Sequence, residues 1–226
     1  MKIHPTAIVE RGAELGPDCE IGPYAVVYGG VRMGARNRVH ALAVIGDLPQ
    51  DKKSGGTPTR VEIGDDNVFR EHVTVHRGTR ETATRIGSKN LFMVGSHVAH
   101  DVVIGSHVVV ANGVQLAGHV VVEDHATFGG LAGVAQFARV GESAFVAAGA
   151  MVERDVPPFC ITAGDRARPR AVNRVGLERR GVPRASIDEI ERVFRAIFFA
   201  KVPRAAAVAA VTTDDPFASK LLAALR

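Results

Sequence analysis

Apolar residues recur at every sixth position along most of this chain. A first run extends from Ile3 to Ile45, a short second run starts at Ile63, and a third extends from Ile86 to Val152. The 23 matching positions are Ile3, Val9, Leu15, Ile21, Val27, Met33, Val39, Ile45, Ile63, Phe69, Val75, Ile86, Phe92, Val98, Ile104, Val110, Leu116, Val122, Phe128, Val134, Val140, Val146 and Val152. A helix would repeat near 3.6 residues and a half-buried strand near 2, so the period indicates neither.

Small or β-branched residues often follow four positions after the apolar ones, and glycine often follows directly. Ala7, Ala25 and Val114 illustrate the first tendency, and Gly22 and Gly105 the second. Each hexapeptide therefore predicts one short strand and one tight turn, and three of them form one coil of a parallel β-helix. Stacked coils lie about 4.8 Å apart, as strands do in a sheet. We expect a mainly β domain over residues 1–160, with aliphatic residues filling the prism and no need for aromatic ones.

Two stretches interrupt the period. Residues 46–60 read GDLPQDKKSGGTPTR, which predicts a polar loop expelled from the prism, and five extra residues lie between Val75 and Ile86. Long loops on compact scaffolds often carry function. The repeat ends at DVPPF, because prolines cannot donate hydrogen bonds to a sheet.

The C-terminal part, residues 161–226, has a different pattern and predicts a connecting segment followed by an α-helical domain. Ser186 and Glu189 have the spacing of a capping box at the start of an amphipathic helix that Pro203 ends. The stretches 205–211 and 217–225 predict two further helices.

Composition narrows the possible classes of protein. The 226 residues are 46% hydrophobic and 23% charged, as in one globular chain, and the longest apolar runs are far too short to span a membrane. The N-terminus has no apolar core of a secretory signal, so we expect a cytoplasmic protein. Cys19 and Cys160 are too few for a disulfide framework and are expected to be buried.

Several histidines fall at intervals close to one coil. Since three hexapeptides make a coil, His100 and His119 lie on adjacent coils, displaced by a single position. His76 precedes His100 by the same interval once the insertion is subtracted. We expect these three imidazoles to form a ladder on one outer face, with Asp101 beside His100 as a carboxylate partner. Such a row can supply a general base, a hydrogen-bond donor or a metal ligand, although outward polar residues are common on any solenoid.

Basic residues concentrate after the repeat, in a chain whose net charge is +4. Arginines occupy positions 166, 168, 170, 174, 179, 180 and 184, against the single acid Glu178. Guanidinium groups match phosphates and carboxylates, so the cluster predicts an anionic ligand or an acidic protein, unless it is merely a solvated surface. Nucleic acid is not expected as a partner, because no aromatic interleaving or known motif accompanies the arginines.

Several segments in this order resemble the UDP-N-acetylglucosamine acyltransferases that begin lipid A synthesis. They include IHPTAIVERGAELG, SHVAHDVVIG, ANGVQLAGHVVVEDHA, GVAQF, DVPPF and VNRVGLERRG. Hexapeptide repeats are shared by many proteins, whereas the AHD, LAGH and LERRG segments are much more specific. The resemblance implies a homotrimer of left-handed parallel β-helices with active sites between subunits, no cofactor and no metal ion. It also implies acyl-acyl carrier protein as the donor and UDP-N-acetylglucosamine, or a related UDP-sugar, as the acceptor.

The same resemblance implies roles for individual residues. His100 would be the general base, Asp101 its supporting acid, and the Gly118 N–H an oxyanion donor. Residues that would hold the sugar, the nucleotide, its phosphates or the carrier protein are Asp51, Lys53, His76, His97, His119, Gln136, Asn173, Arg179 and Arg180. The acyl-chain pocket would include Phe145 and Ala148, with the small Ala148 leaving room for a longer chain.

Three departures from the family pattern bear on the acceptor. Ala135 and Arg166 stand where the family has histidines, and Val175 stands where it usually has a glutamate. An acceptor with an amine at the sugar 3-position is therefore an open alternative. The residues also leave room for a zinc-dependent hydratase using three histidines and for a non-catalytic homologue that keeps the prism.

Overall fold

The protein is a triangular prism of stacked short strands followed by four helices. The computed structural model describes residues 1–52, 54, 59–79 and 82–226, and the strands of these residues form three sheets, one on each face of the prism. The first sheet holds β1 Lys2–Ile3, β4 Glu20–Ile21, β7 Arg38–Val39, β10 Val68–Phe69, β13 Leu91–Phe92, β16 Val109–Val110, β19 Thr127–Phe128, β22 Phe145–Val146, β24 Cys160–Ala163 and β25 Arg168–Val172. The second sheet holds β2 Ile8–Val9, β5 Val26–Val27, β8 Val44–Asp47, β11 Thr74–His76, β14 His97–Val98, β17 Gln115–Leu116, β20 Gly133–Val134 and β23 Met151–Val152. The third sheet holds β3 Glu14–Leu15, β6 Val31–Met33, β9 Arg60–Ile63, β12 Ala83–Ile86, β15 Val103–Ile104, β18 Val121–Val122 and β21 Arg139–Val140.

The register of these sheets confirms the six-residue period and both interruptions. Leu91 pairs in parallel with Val109, so a regular coil consists of three hexapeptides. Val68 pairs with Arg38 on one side and with Leu91 on the other, and both of these coils are longer than the regular one. The first loop is shorter than the predicted 46–60, because β8 extends to Asp47 and β9 already begins at Arg60.

The interior of the prism contains phenylalanines as well as aliphatic residues, at three of the positions that the six-residue period predicts to be internal. Phe69 and Phe92 are fully buried on consecutive coils and stack with their ring centroids 4.9 Å apart. Phe128 is buried on the same face. Equivalent positions in successive coils lie one strand spacing apart, so flat rings there can stack. The two cysteines are free and buried, as predicted.

A ladder of buried asparagines ties four coils together at one corner. The side-chain oxygen of Asn37 accepts both the N–H and the side-chain amide of Asn67, at 2.9 Å each. Asn67 in turn accepts the N–H of Asn90 at 3.0 Å, and Asn90 accepts the N–H of Val108 at 2.7 Å. Each amide thus satisfies backbone groups that the turn would otherwise leave unpaired.

The C-terminal part contains α1 Arg174–Arg179, α2 Arg184–Phe198, α3 Arg204–Ala210 and α4 Pro216–Ala223. The last two correspond to the predicted helices, whereas α1 was not predicted. Strands β24 and β25 form an antiparallel pair that leads from the last coil into α1. Phe159 and Cys160 of that coil belong to a second hydrophobic cluster with Leu177, Ile190 and Leu221. The division between residues 160 and 161 stays a prediction.

The predicted capping box is wrong. Helix α2 begins two residues earlier, at Arg184, after Pro183, whose fixed φ suits a helix start but whose ring offers no capping acceptor. Ser186 is buried in the first turn and donates its hydroxyl proton to Asp215 at 2.6 Å. Glu189 instead pairs with Arg192 at 2.7 Å.

None of the helices in the described residues has the length and the apolar character that a membrane-spanning helix needs.

Candidate active site

An open groove runs along the outer face of the second sheet, over β14, β17, β20 and β23. Its volume is about 490 Å³, and its lining includes His97, His100, Gly118, Ala135 and Gln136. Strand alternation explains the location, because residues such as His97 and Gln115 point outward while Val98 and Leu116 fill the prism. The groove brings together several of the predicted site residues.

His100 and Asp101 form a hydrogen-bonded pair at the corner between the second and third sheets. The Nδ1 atom of His100 lies 2.8 Å from Oδ2 of Asp101, and both residues are buried. Neighbouring side chains on a strand point apart, but these two lie in a turn in which Asp101 has φ of 61°, which turns its carboxylate back towards the imidazole. Since an ionised carboxylate only accepts hydrogen bonds, Nδ1 carries the proton and Nε2 is left unprotonated in the neutral ring.

Asp101 is held as a carboxylate by several donors. Burial alone would raise the pKa of Asp101, but hydrogen bonds from Thr82, Thr79 and His100 outweigh burial and lower the pKa below its ordinary value. The ionised form therefore persists at neutral pH and keeps the His100 ring in one tautomer.

Gly118 lies against the His100 ring, one coil further along. A Cβ atom at position 118 would lie 2.5 Å from Cε1 and 2.7 Å from Nε2 of His100, so only glycine fits beside this edge of the ring. The Gly118 N–H makes no backbone hydrogen bond within the described residues, whereas its carbonyl accepts the N–H of Phe137 at 3.2 Å. The Gly118 backbone, with an N–H that makes no backbone bond among the described residues, thus lies directly beside the unprotonated ring nitrogen.

His119 completes this cluster at the corner. Its ring contacts that of His100 edge to face at 5.2 Å between centroids and stacks on Phe137 at 4.6 Å. Its Nε2 lies 3.6 Å from Oδ2 of Asp101, an electrostatic contact longer than a hydrogen bond. The structure therefore confirms that His100 and His119 stack on successive coils, but His100 is only 6% exposed and forms the base of the groove.

The ring contact of His76 is with His97, edge to face at 4.8 Å. The strand register aligns Val75 with Val98 and so places His76 level with Ala99, one residue before His100, which is the displacement that the interval in the sequence predicts. Burial, with the charges of His76 and His100, lowers the pKa of His97 to about 4, and burial also lowers the pKa of His76. His97 additionally bonds Thr74 Oγ1 through Nδ1 at 2.7 Å. These two rings are neutral groups at pH 7.

Other predicted site residues lie away from this groove within one chain. Asn173 caps α1 by accepting the Gly176 N–H and donates to the Ser143 carbonyl at 2.9 Å. Arg180 donates to Ser143 Oγ at 2.9 Å and pairs with Glu142. Arg179 is exposed at the end of α1.

The two predicted acyl-pocket residues also lie outside the groove. Phe145 faces outward from the first sheet, and Ala148 is exposed at the following turn. Asp51 lies in the first expelled loop, where its carbonyl accepts the Ser54 N–H at 3.0 Å. Lys53 lies outside the described residues.

The arginine-rich stretch is not one patch. Arg174 pairs with Glu191 at 2.5 Å and Asp188 at 3.0 Å, and Arg166 lies 3.8 Å from Glu153. An arginine side chain is long enough to reach an acid that is distant in the sequence. The spacing of the arginines along the chain does not show such pairs. Arg168, Arg170 and Arg179 remain exposed.

One group of side chains is compact enough for a metal ion. One ligand atom from each of His100, Asp101 and His119 lies within 4.8 Å of the others. The set contains two imidazoles rather than the three of the hydratase alternative, and both Asp101 oxygens already accept protein hydrogen bonds. These contacts are typical of a hydrogen-bonded histidine–carboxylate pair, whereas a metal ion would need the same ligand atoms to be free.

Sequence reasoning missed two sets of residues. Gln50, Gln115 and Glu153 line the groove, and Thr79 and Thr82 contact Asp101. The outward position of Gln115 in the six-residue pattern was an available signal for a groove residue. The threonines lie in the second insertion, where no period indicates which residue approaches which.

The fold and this groove define a hexapeptide-repeat transferase. Models of known families agree: the bacterial transferase hexapeptide (six repeats) matches residues 12–47 and 83–118, and domain 2 of UDP N-acetylglucosamine O-acyltransferase matches residues 155–226.

Individual proteins with the same architecture are similar over most of their length. The acyl-[acyl-carrier-protein]–UDP-N-acetylglucosamine O-acyltransferase of Halorhodospira halophila is 45% identical, over 87% of this chain and 84% of its own. The enzyme of that name from Syntrophobacter fumaroxidans is 47% identical, over 88% and 85%. The solved structure of LpxA from Acinetobacter baumannii has a TM-score of 0.89 at 32% identity and covers 99% of this chain and 96% of its own. The chain belongs to the UDP-N-acetylglucosamine O-acyltransferase family, and its prism is a left-handed parallel β-helix.

Proposed function

We propose that the protein transfers an acyl group from acyl-acyl carrier protein to the 3-hydroxyl of UDP-N-acetylglucosamine, the first step of lipid A biosynthesis. The names of the two curated relatives give the donor and the acceptor. The observation that carries the proposal is the position of His100 Nε2 beside the Gly118 backbone, with Nδ1 bound to Asp101. A base and an oxyanion donor at one point are what acyl transfer requires.

The reaction follows from these groups. His100 Nε2 takes the proton of the sugar hydroxyl as its oxygen attacks the thioester carbonyl carbon, and the carbonyl electron pair moves onto oxygen. The Gly118 N–H donates to that oxyanion. When the oxyanion collapses, the C–S bond breaks, and the proton on His100 passes to the departing thiolate. Asp101 stabilises the imidazolium between these two transfers, as a buried carboxylate does for a catalytic histidine.

Residues on the faces of the prism support a homotrimer. Outward residues of the third sheet are mostly charged: Glu14, Arg32, Glu62, Arg85 and Arg139. Those of the first and second sheets are charged at Lys2, Glu20 and Arg38 but include a larger number of apolar residues, namely Ile8, Val26, Val44, Val68, Leu91, Val109 and Phe145. Charged faces suit solvent and apolar faces suit a protein partner.

The corner between the first and second sheets is the expected position of the three-fold axis. Tyr24, Leu42 and Leu131 have positive φ there and are 63%, 45% and 71% exposed. A left-handed conformation costs such residues about 1 to 2 kcal/mol, so a chain that keeps large apolar residues at this corner gains from burying them. Packing the first sheet of one copy on the second sheet of the next closes a ring of three.

This arrangement gives the remaining predicted residues a role. The first sheet of a neighbouring copy would bring Phe145 and Ala148 over the groove, where they could hold the acyl chain. The same copy would bring Asn173, Arg179 and Arg180, which lie beside the adjacent corner, towards the nucleotide and its phosphates. The copy that supplies His100 would also supply Gln136, His97, His119, His76, Asp51 and Lys53. The exposed Arg179 and Arg180 of the neighbouring copy would also meet the acidic carrier protein.

The proposed setting is the cytoplasm. Both cysteines are unpaired and buried, and disulfides are rare where glutathione keeps thiols reduced.

The acceptor is tested by release of carrier thiol. Purified protein is mixed with acyl-acyl carrier protein and either UDP-N-acetylglucosamine or its 3-amino analogue, and free thiol and acylated sugar are measured. We expect turnover with the 3-hydroxy sugar. Faster turnover with the amine would assign the alternative acceptor, which stays open because Ala135 lines the groove where the resemblance leads us to expect a histidine. The absence of transfer to both would support the non-catalytic homologue or, with stoichiometric zinc in the protein, the hydratase.

A further inference from the structure

The second insertion folds back onto the carboxylate that orients His100. Thr79 donates its backbone N–H to Oδ1 of Asp101 at 3.0 Å and its hydroxyl to Oδ2 at 2.7 Å. The hydroxyl of Thr82 also contacts Oδ1. Together with His100 Nδ1 on Oδ2, donors occupy both oxygens of this carboxylate.

The insertion is built closely around Asp101. A Cβ atom on Gly78 would lie 2.4 Å from the Thr82 carbonyl oxygen and 2.9 Å from Asp101 Oδ1, so the backbone itself packs against the carboxylate. The turn is held in place because Thr59 Oγ1 donates to the Gly78 carbonyl at 2.6 Å. The Asp101 backbone N–H donates to Thr84 Oγ1 at 2.9 Å, which fixes the main chain that carries the carboxylate.

These contacts determine the geometry of the base. The oxygen Oδ2 accepts only two described short bonds, one from the Thr79 hydroxyl and one from His100 Nδ1. If the hydroxyl is lost, the carboxylate can rotate and its bond to Nδ1 lengthens. The tautomer of His100 with its proton on Nδ1 is then no longer favoured over the tautomer with its proton on Nε2. In the second tautomer Nε2 already carries a proton, so it cannot accept the proton of the sugar hydroxyl.

We propose that Thr79, assisted by Thr82, is a positioning residue for catalysis, whose hydroxyl holds Asp101 so that His100 keeps its proton on Nδ1. This role rests on the proposed acyl transfer, in which His100 Nε2 accepts the proton of the sugar hydroxyl. It also gives the five-residue insertion a function, because Thr79 and Thr82 of the insertion together supply donors to both carboxylate oxygens.

The test compares Thr79→Val with Thr79→Ser. Valine keeps the shape of threonine and the backbone N–H but has no hydroxyl, whereas serine keeps the hydroxyl. We expect Thr79→Val to lower kcat about 10- to 100-fold, as for the loss of a hydrogen bond to a charged group. Thr79→Ser should retain kcat within about threefold of the wild type, and KM for the acceptor should change little in both variants, because Thr79 does not line the groove.

A double mutant separates positioning from general damage. In an Asp101→Asn background the Thr79→Val change should cost less than about threefold, because its effect passes through the carboxylate that is already absent. A full loss in that background, or a Thr79→Val protein as active as wild type, would overturn the proposal.

Imidazole nitrogen NMR gives a readout that does not need turnover. The His100 signal, assigned by its loss in a His100→Asn variant, should show protonated Nδ1 in wild type and in Thr79→Ser, and a mixture of tautomers in Thr79→Val. An unchanged tautomer in Thr79→Val would contradict the positioning role even if the wild type transfers no acyl group. A wild-type protein without transfer activity would instead count against the proposed function.

Discussion

A His100→Asn variant should lose about 100- to 10,000-fold in kcat/KM for acyl transfer, the range that a general base contributes. Asparagine can still place an amide near Asp101, but it has no nitrogen that accepts the proton of the sugar hydroxyl at neutral pH. The chain should remain folded, because the corner is held by backbone bonds such as His119 N–H to the His100 carbonyl at 3.1 Å, which the substitution keeps. Steady-state rates with acyl-acyl carrier protein measure the effect.

His107 provides the matched control for that variant. It is an exposed histidine in the next turn of the chain, at the position that Asp101 has in its own turn, with φ of 60°, and its ring stacks on His125 at 4.8 Å, away from the groove. His107→Asn should keep kcat/KM within about twofold, as exposed substitutions usually do. Equal losses in both variants would mean that the His100 effect is structural, and retained turnover in His100→Asn would remove His100 as the base.

A Gly118→Ala variant should lose about 100-fold or more in kcat/KM. Its Cβ would lie 2.5 Å from the His100 ring, so the imidazole must move away from both the substrate and its bond with Asp101. Displacing a catalytic group by about 1 Å can cost 100-fold. The backbone of Gly118 is not in the left-handed region, so alanine is conformationally allowed there and the effect arises from the ring.

Gly130 separates this effect from the general cost of replacing a turn glycine. A Cβ on Gly130 would meet only the Asn112 carbonyl oxygen, at an ordinary 3.5 Å, and its φ is likewise not positive. Gly130→Ala should keep kcat/KM close to wild type, and sedimentation should show an unchanged oligomeric state, because Gly130 lies beside Leu131 at the expected three-fold axis. If Gly118→Ala were equally active, the proposed close fit between the base and the oxyanion donor would be wrong.

The repeat made most of the architecture predictable, because one apolar residue per hexapeptide reports directly on the interior of the prism. The two insertions were visible as register shifts, and the pairing of Val68 with Leu91 confirms the smaller one. His100 and His119 could be placed together for the same reason, since a coil of three hexapeptides brings both positions to one corner of adjacent coils.

Features that depend on side-chain reach or on irregular backbone were not predictable. Thr79 and Thr82 contact Asp101 from the second insertion. The insertion has no periodic pattern from which these contacts could be predicted. The basic stretch suggested one anionic site, yet Arg174 and Arg180 reach acids on other elements. Helix α2 begins at Arg184, before the predicted Ser186, because the fixed φ of Pro183 suits the residue that precedes a helix.

In the proposed homotrimer, each active site combines the groove of one copy with residues of a second copy. Mixing two variants that we expect to be inactive, His100→Asn and the double variant Arg179→Ala with Arg180→Ala, and allowing their copies to reassort tests this arrangement. A site regains both sets of residues when the groove comes from the arginine variant and the neighbour is the histidine variant, so random reassortment in a cyclic trimer should restore about a quarter of wild-type activity. If each site lies within one chain, every chain carries a defect and the mixture should stay inactive.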